Sequence, residues 1–193
     1  MRNVIAAFVF CVLAVGPVAA EQTAHPFVPD QSNDLILTSQ GFVIPGFGQV
    51  GQSFVPTFSL LDVVELQMNS QLTESGGTAV VQIRSGTIAG PILGVSQSAS
   101  VPPYPGPAFT LAHFDFLVPV ALTPGSTYVI EVIAISGTMG VFTSGFGANT
   151  YPQGTAFFMG AAQPGDDLWF REGSGVVVPV AEVSWGRIKA LYE

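Results

Sequence analysis

Two adjacent carboxylates stand out among the residues that could do chemistry. Asp166 and Asp167 follow a Pro164-Gly165 turn and directly precede the apolar residues 168–170. Adjacent carboxylates in a loop, helped by backbone carbonyl oxygens, are ligands that a hard cation such as Ca²⁺ takes. We therefore predict a structural calcium site at Asp166 and Asp167, and the alternative is a solvated turn. No other cofactor is expected.

Aromatic side chains gather in the second half of the chain, near loops rich in glycine and proline. Tyr104 and Tyr151 lie beside prolines, and Trp169 follows the two acids. Exposed Tyr and Trp rings can stack on sugars, and side-chain amides such as those of Asn149 and Gln153 can bond sugar hydroxyls. We predict that these five residues form a carbohydrate site. The alternative is that the aromatic rings fill the core, as they do in most sandwich interiors.

The side chains that enzymes use are few in this sequence. Of the two histidines, His25 lies beside a proline near the N-terminus, and His113 lies in an apolar run where a hydrogen-bonded structural imidazole is expected. A Gly-x-Ser-x-Gly motif is missing from the sequence, so a nucleophile elbow has no support. Asp62 and Glu65 are three residues apart, which puts them on opposite faces of a strand and makes them poor partners for glycoside hydrolysis. We predict no catalytic residues and no enzyme.

The first 20 residues have the pattern of a cleavable export signal. A short start with Arg2 precedes an uncharged apolar run over residues 4–15, and Val18-Ala19-Ala20 supplies small residues for cleavage. The run is shorter than the ~20 residues that span a bilayer. We expect a secreted or cell-surface protein. Cleavage also removes Cys11, the only cysteine, so the mature chain is expected to fold without a disulfide.

The charge of the mature chain excludes some classes of partner. Without residues 1–20 the chain keeps 4 of its 5 Lys and Arg residues and all 13 acidic residues, a net charge of −9. Nucleic-acid binding needs clustered Lys and Arg to neutralise phosphates, and docking on anionic lipid needs them too. We expect neither partner, and no membrane span in the mature chain.

The elements that must position these residues are predicted to be strands. The chain has 22 Gly and 15 Pro and only 9% charged residues, and its apolar and β-branched residues come in short runs between turns. We predict an all-β, antiparallel two-sheet sandwich over residues 34–173, preceded by an exposed leader over 21–33 and followed by a C-terminal tail over 174–193. The predicted strand segments are 34–44, 51–55, 60–69, 78–85, 92–101, 108–118, 128–135, 141–146, 155–159, 168–171 and 176–180.

Six strand-and-turn pieces occur in an order that is similar to a known type of domain. They are residues 50–57 (VGQSFVPT), 61–66 (LDVVEL), 81–87 (VQIRSGT), 122–128 (LTPGSTY), 151–156 (YPQGTA) and 167–171 (DLWFR). The chain resembles, over residues 30–173, the secreted jelly-roll domains of environmental bacteria. That resemblance implies a jelly-roll sandwich akin to carbohydrate-binding modules, which often hold a structural calcium ion, and it implies no settled activity.

Two functions fit these observations. The first is a secreted, non-catalytic binding or adhesion module for extracellular carbohydrate. The second is a structural subunit of a surface layer, matrix or filament, in which the apolar residues 176–180 add a strand to the sheet edge of a neighbour. A hydrolase is a third, less favoured reading, because the acids for one are not evident.

Overall fold

The computed structural model describes residues 26–35, 40–70, 75–103, 109–145 and 147–175. These ranges form strands joined by turns, which confirms the predicted all-β class. Within them, no helix has the length and apolar character needed to cross a membrane. The strands are β1 (Phe27–Asn33), β2 (Gly41–Ile44), β3 (Val50–Phe54), β4 (Leu60–Asn69), β5 (Gly77–Ser85), β6 (Ile92–Val95), β7 (Ala99–Val101), β8 (Thr110–Ala121), β9 (Tyr128–Ser136), β10 (Met139–Gly145), β11 (Ala156–Phe158), β12 (Ala161–Gln163), β13 (Asp167–Leu168) and β14 (Phe170–Gly175).

The strands form two antiparallel sheets, as predicted. The first sheet has the order β1-β14-β4-β10-β13, with β2 paired to β10 and β8 paired to β4. The second sheet has the order β12-β11-β3-β9-β5-β6, with β7 also paired to β5. Within the described residues, β8 is therefore an edge strand of the first sheet, and β6 is an edge strand of the second.

A single apolar core joins the two sheets. Strand β5 shows how the pattern builds it, because Ala79, Val81 and Ile83 are fully buried while the residues between them are half-buried. This alternation is the period of two that a strand with one inward face requires. Phe114 of the first sheet and Ile130 of the second belong to the same core cluster. The arrangement is that of a sandwich-like all-β domain.

The predicted exposed leader differs from the structure over residues 27–33. These residues form β1, which pairs with β14 from Phe27 opposite Gly175 to Asn33 opposite Phe170. Asp30 fixes the strand further, because its carboxylate accepts hydrogen bonds from the backbone N–H groups of Thr57 and Phe58 at 2.7 and 2.8 Å. The sequence of β1 is largely polar, so hydrophobic periodicity gave no sign of it.

Two predictions, the export signal and the C-terminal tail, concern the ends of the chain and stay predictions. The export signal over residues 1–20 lies outside the described residues, and so does the predicted tail beyond Gly175. Of that tail, Ser174 and Gly175 are the last residues of β14.

Candidate functional site

Asp167, one of the two predicted calcium ligands, is buried and fully engaged by protein donors. Its side chain accepts hydrogen bonds from Gln52 Nε2 on one oxygen and from the backbone N–H groups of Thr150 and Tyr151 on the other, each at 2.9 Å. Burial raises the pKa of the Asp167 carboxyl, and these hydrogen bonds oppose the rise. Asp167 therefore acts as a structural acceptor that fixes the loop before β11 against β3.

Asp166 supports the same loop from its other side. Its carboxylate accepts a hydrogen bond from the backbone N–H of Gly147 at 2.6 Å. Among the described residues, no three acidic, histidine or cysteine side chains form a group that could hold a metal ion. The calcium site at Asp166 and Asp167 stays a prediction, and the contacts in the structure account for both carboxylates without it.

Two of the three aromatic rings that were predicted to stack on sugar are buried instead. Tyr151 is 6% exposed, and its hydroxyl donates to Gln31 Oε1 at 3.0 Å and accepts from the backbone N–H of Val55 at 3.3 Å. Trp169 is 3% exposed, and the guanidinium of Arg171 lies 5.1 Å from its ring centroid. Burial raises the pKa of the Tyr151 hydroxyl. Neither ring offers a free face to a sugar, because both are buried: Asp167 holds the loop of Tyr151 inward, and Arg171 lies against the ring of Trp169.

The remaining residues of the predicted sugar site have different positions. Asn149 and Gln153 are exposed on the loop between β10 and β11. Tyr104 lies outside the described residues. The structure therefore places two exposed amides on one loop. Tyr151 and Trp169, which were expected to be exposed beside them, are buried.

His113 is held between two carboxylates on neighbouring strands. It pairs directly across β8 and β4 with Glu65, and its Nδ1 lies 3.2 Å from Glu65 Oε1. Its Nε2 lies 3.1 Å from Asp115 Oδ1. The hydrogen bond with Glu65 raises the pKa of His113 against the lowering effect of burial. The His113 side chain is only 5% exposed, which agrees with the predicted structural imidazole.

Glu172 is a buried acid that sequence reasoning did not single out. It is 1% exposed, and its Oε1 has no hydrogen-bond partner among the described residues. Burial raises the pKa of the Glu172 carboxyl to about 8, and the nearby Asp30 carboxylate adds to the rise. The register of β14 causes this burial, since Glu172 lies opposite Val64 and follows the same inward alternation as Phe170.

A groove with an uncharged lining runs between the edge strands of the two sheets. It has a volume of about 460 Å³ and is lined by residues 93–97 of β6 and the turn after it and by residues 117–121 of β8, and no lining residue is charged. We call it the β6–β8 groove. Leu93 and Val95 on one wall are 44% and 50% exposed, and Leu117 and Val118 on the other are 78% and 80% exposed.

A large bulge in β8 creates the second wall. Val120 pairs with Leu61 and Asp115 pairs with Val63, so residues 116–119 of β8 together oppose Asp62 alone. The extra residues leave the ladder. The side chains of residues 117–119 turn to the surface, whereas Phe116 stays in the core. A proline at position 119 inside an apolar run is compatible with an edge strand, but it carries no information about the bulge or its exposed residues.

The bottom and one end of the groove are fixed by close contacts. A Cβ at Gly94 would lie 2.5 Å from Val120 Cγ2, so glycine lets β6 approach β8 at this point. The backbone N–H of Gln97 donates to the carbonyl of Asp115 at 2.7 Å and joins the two edges. The groove is therefore a fixed part of the surface.

Strand β14 ends close to the other side of the bulge. The backbone N–H of Gly175, its last residue, donates to Asp62 Oδ1, and Asp62 is the residue that opposes the bulge. Leu60 and Phe58 border this point and are 47% and 36% exposed. Leu60 pairs with Ala121, which lines the groove, so exposed apolar side chains also lie near Gly175, the last residue that the structure describes.

Comparison with known proteins adds no relative to this description, since no protein-family model matches the chain and no curated protein matches it either.

Proposed function

We propose that the protein is an exported, non-catalytic structural or adhesion module whose copies join by β-strand addition at the β6–β8 groove. The observation that carries this proposal is the pair of adjacent sheet edges, β6 and β8, with exposed apolar side chains and no charged residue between them. The jelly-roll topology and the export signal predicted from the sequence are part of the same proposal.

Unprotected edges are unusual in proteins that stay monomeric. Natural sheet edges normally carry Lys, other charges or inward-pointing polar groups, because an open row of backbone N–H and C=O groups is a template for another strand. Strand β6 has the sequence Ile-Leu-Gly-Val and pairs, within the described residues, with β5 alone. Its free edge can therefore accept a strand, while the β8 bulge supplies an apolar wall beside it.

The chemistry of the groove favours a polypeptide over a sugar. Sugar sites combine an aromatic platform with several polar groups. The groove has no aromatic lining residue, and the hydroxyl of Ser96 is already bonded to the backbone of Val81 and Gln97. An extended apolar segment matches it better, because its backbone pairs with β6 and its side chains cover Leu117 and Val118.

The experiment that tests this function measures self-association of the purified mature chain, residues 21–193, by light scattering over a range of concentrations. We expect the wild type to associate and the double variant Leu117→Asp/Val118→Asp to be monomeric. Ile135→Asp is the matched control, because Ile135 is 61% exposed on β9 and away from the groove. The proposal fails if the wild type stays monomeric, or if the double variant associates as the wild type does.

A further inference from the structure

We infer that the strand added to the β6–β8 groove is the segment 176–180 of a second copy of this chain. The inference rests on the proposed function and names the partner of the same site. The segment reads Val-Val-Val-Pro-Val, so it has no charge and four β-branched residues. These are the residues that favour extended backbone, and they match a groove whose lining is uncharged.

The length of the segment fits the acceptor strand. An extended chain rises about 3.3 Å per residue, so five residues cover roughly 16 Å. Strand β6 has four residues, Ile92–Val95, and spans roughly 13 Å on the same measure. The segment also starts in a suitable place, since it directly follows Gly175, which is fixed at the sandwich end by Asp62.

The direction of β14 favours a neighbouring copy over the chain's own groove. Both β14 and β8 run antiparallel to β4, and Gly175 lies level with the end of β8, where Leu60 pairs with Ala121. To enter its own groove, the chain would have to turn at once and cross β4 and β8, a sideways distance of about 10 Å. Three consecutive valines are poor turn residues, so they favour continuing straight into another molecule.

Pro179 sets which side of the segment can pair with β6. A proline has no N–H and is tolerated in a strand only where that group would not join the ladder. Backbone N–H groups alternate between the two sides of a strand. The backbone groups of residues 176, 178 and 180 therefore pair with β6, and those of residues 177 and 179 point to the other side, toward the β8 bulge. The bulge contains Pro119 and is not part of a regular ladder, so the missing N–H of Pro179 costs no hydrogen bond there.

The test mixes two chains that cannot associate alone. One is an acceptor that ends after Gly175 and keeps its groove, and the other is a donor that keeps its tail but carries Leu117→Asp/Val118→Asp. We expect each to be monomeric by light scattering and the mixture to form a one-to-one dimer. Val178→Asp in the donor should weaken that dimer by at least about tenfold, because it puts a carboxylate in an uncharged groove. Val183→Asp, the same change in the same tail outside the segment, should leave it intact.

The outcomes separate this inference from the proposed function. If the chain ending after Gly175 still self-associates and Leu117→Asp/Val118→Asp abolishes that association, the function stands and the donor segment is wrong. If the donor and the acceptor do not dimerise, the second-copy inference is overturned. If the wild type is monomeric by light scattering, and a labelled peptide of residues 175–181 binds the chain that ends after Gly175 but not the wild type, each chain fills its own groove, which also overturns the inference.

Discussion

Replacement of Glu172 by glutamine should stabilise the protein, and the gain should grow with pH. Glutamine keeps the shape of the side chain. It also keeps an oxygen that can accept a hydrogen bond from the backbone N–H of Gln31, the group that now lowers the pKa of the Glu172 carboxyl. Glu172 Oε1 has no hydrogen-bond partner among the described residues. The amide group of glutamine adds a donor at this position, near the Asp30 carboxylate. The change therefore removes the ionisation of a buried acid without opening a cavity.

The size of the effect follows from the pKa of Glu172. Its value is about 8 in the folded protein and 4.5 for the free group. Folded Glu172 therefore binds its proton more tightly than the unfolded chain does, and folding stability is lost as the pH rises from 4.5 to 8. Each pH unit in that window is equivalent to about 1.4 kcal/mol, so the loss at pH 8 and above reaches about 5 kcal/mol.

Urea unfolding of the wild type and of Glu172→Gln at pH 4, 6 and 8.5, followed by tryptophan fluorescence, measures this difference. We expect nearly equal free energies of unfolding at pH 4 and a lead for the variant of several kcal/mol at pH 8.5. Asp34→Asn is the control for the loss of one carboxylate, since the Asp34 side chain is 45% exposed. A difference between Glu172→Gln and the wild type that is the same at all three pH values would refute the reasoning.

Other predictions concern the loop acids, the groove and the sugar site. Asp167→Ala should cost about 3 kcal/mol or more of unfolding free energy in urea, because it removes the acceptor of three hydrogen bonds; a cost below about 1 kcal/mol would contradict this. If the predicted calcium site at Asp166 and Asp167 is real, EDTA should lower the melting temperature and Ca²⁺ should restore it; a melting temperature that EDTA leaves unchanged would contradict that site. Gly94→Ala should cost about 1–3 kcal/mol through its clash with Val120, and Val120→Ala in the same chain should recover part of the loss. A glycan array should be blank, and sugar binding that Asn149→Ala and Gln153→Ala remove would support the carbohydrate prediction.

The strands that could be predicted from the sequence are those whose own pattern carries the signal. Strand β4 is confirmed over Leu60–Asn69, and β9 extends one residue beyond the predicted segment to Ser136. Both have apolar residues that face a core and turn residues at their ends. Strand β8 was expected to stop before Pro119 but continues to Ala121, because proline is tolerated at the edge of a sheet.

The site residues were harder to predict because they depend on contacts between distant parts of the chain. Tyr151 lies next to a proline in a loop, which is typical of an exposed ring, and nothing near it in the sequence shows that Asp167 binds its backbone. The pairing of His113 with Glu65 and the burial of Glu172 follow from the register between strands, which local periodicity does not fix. The exposure of Leu117 likewise depends on a bulge that only the pairing with β4 defines.

The pairing of β1 with β14 has a consequence for how the chain reaches its folded state. These strands come from opposite ends of the described sequence, so the first sheet is incomplete until the last strand is present. Pairing two strands that are so far apart in the sequence is slow compared with forming local structure, because the chain loses entropy before the contacts form. On the proposed export route, the first sheet would therefore be completed only after β14, the last described strand, had also crossed the membrane.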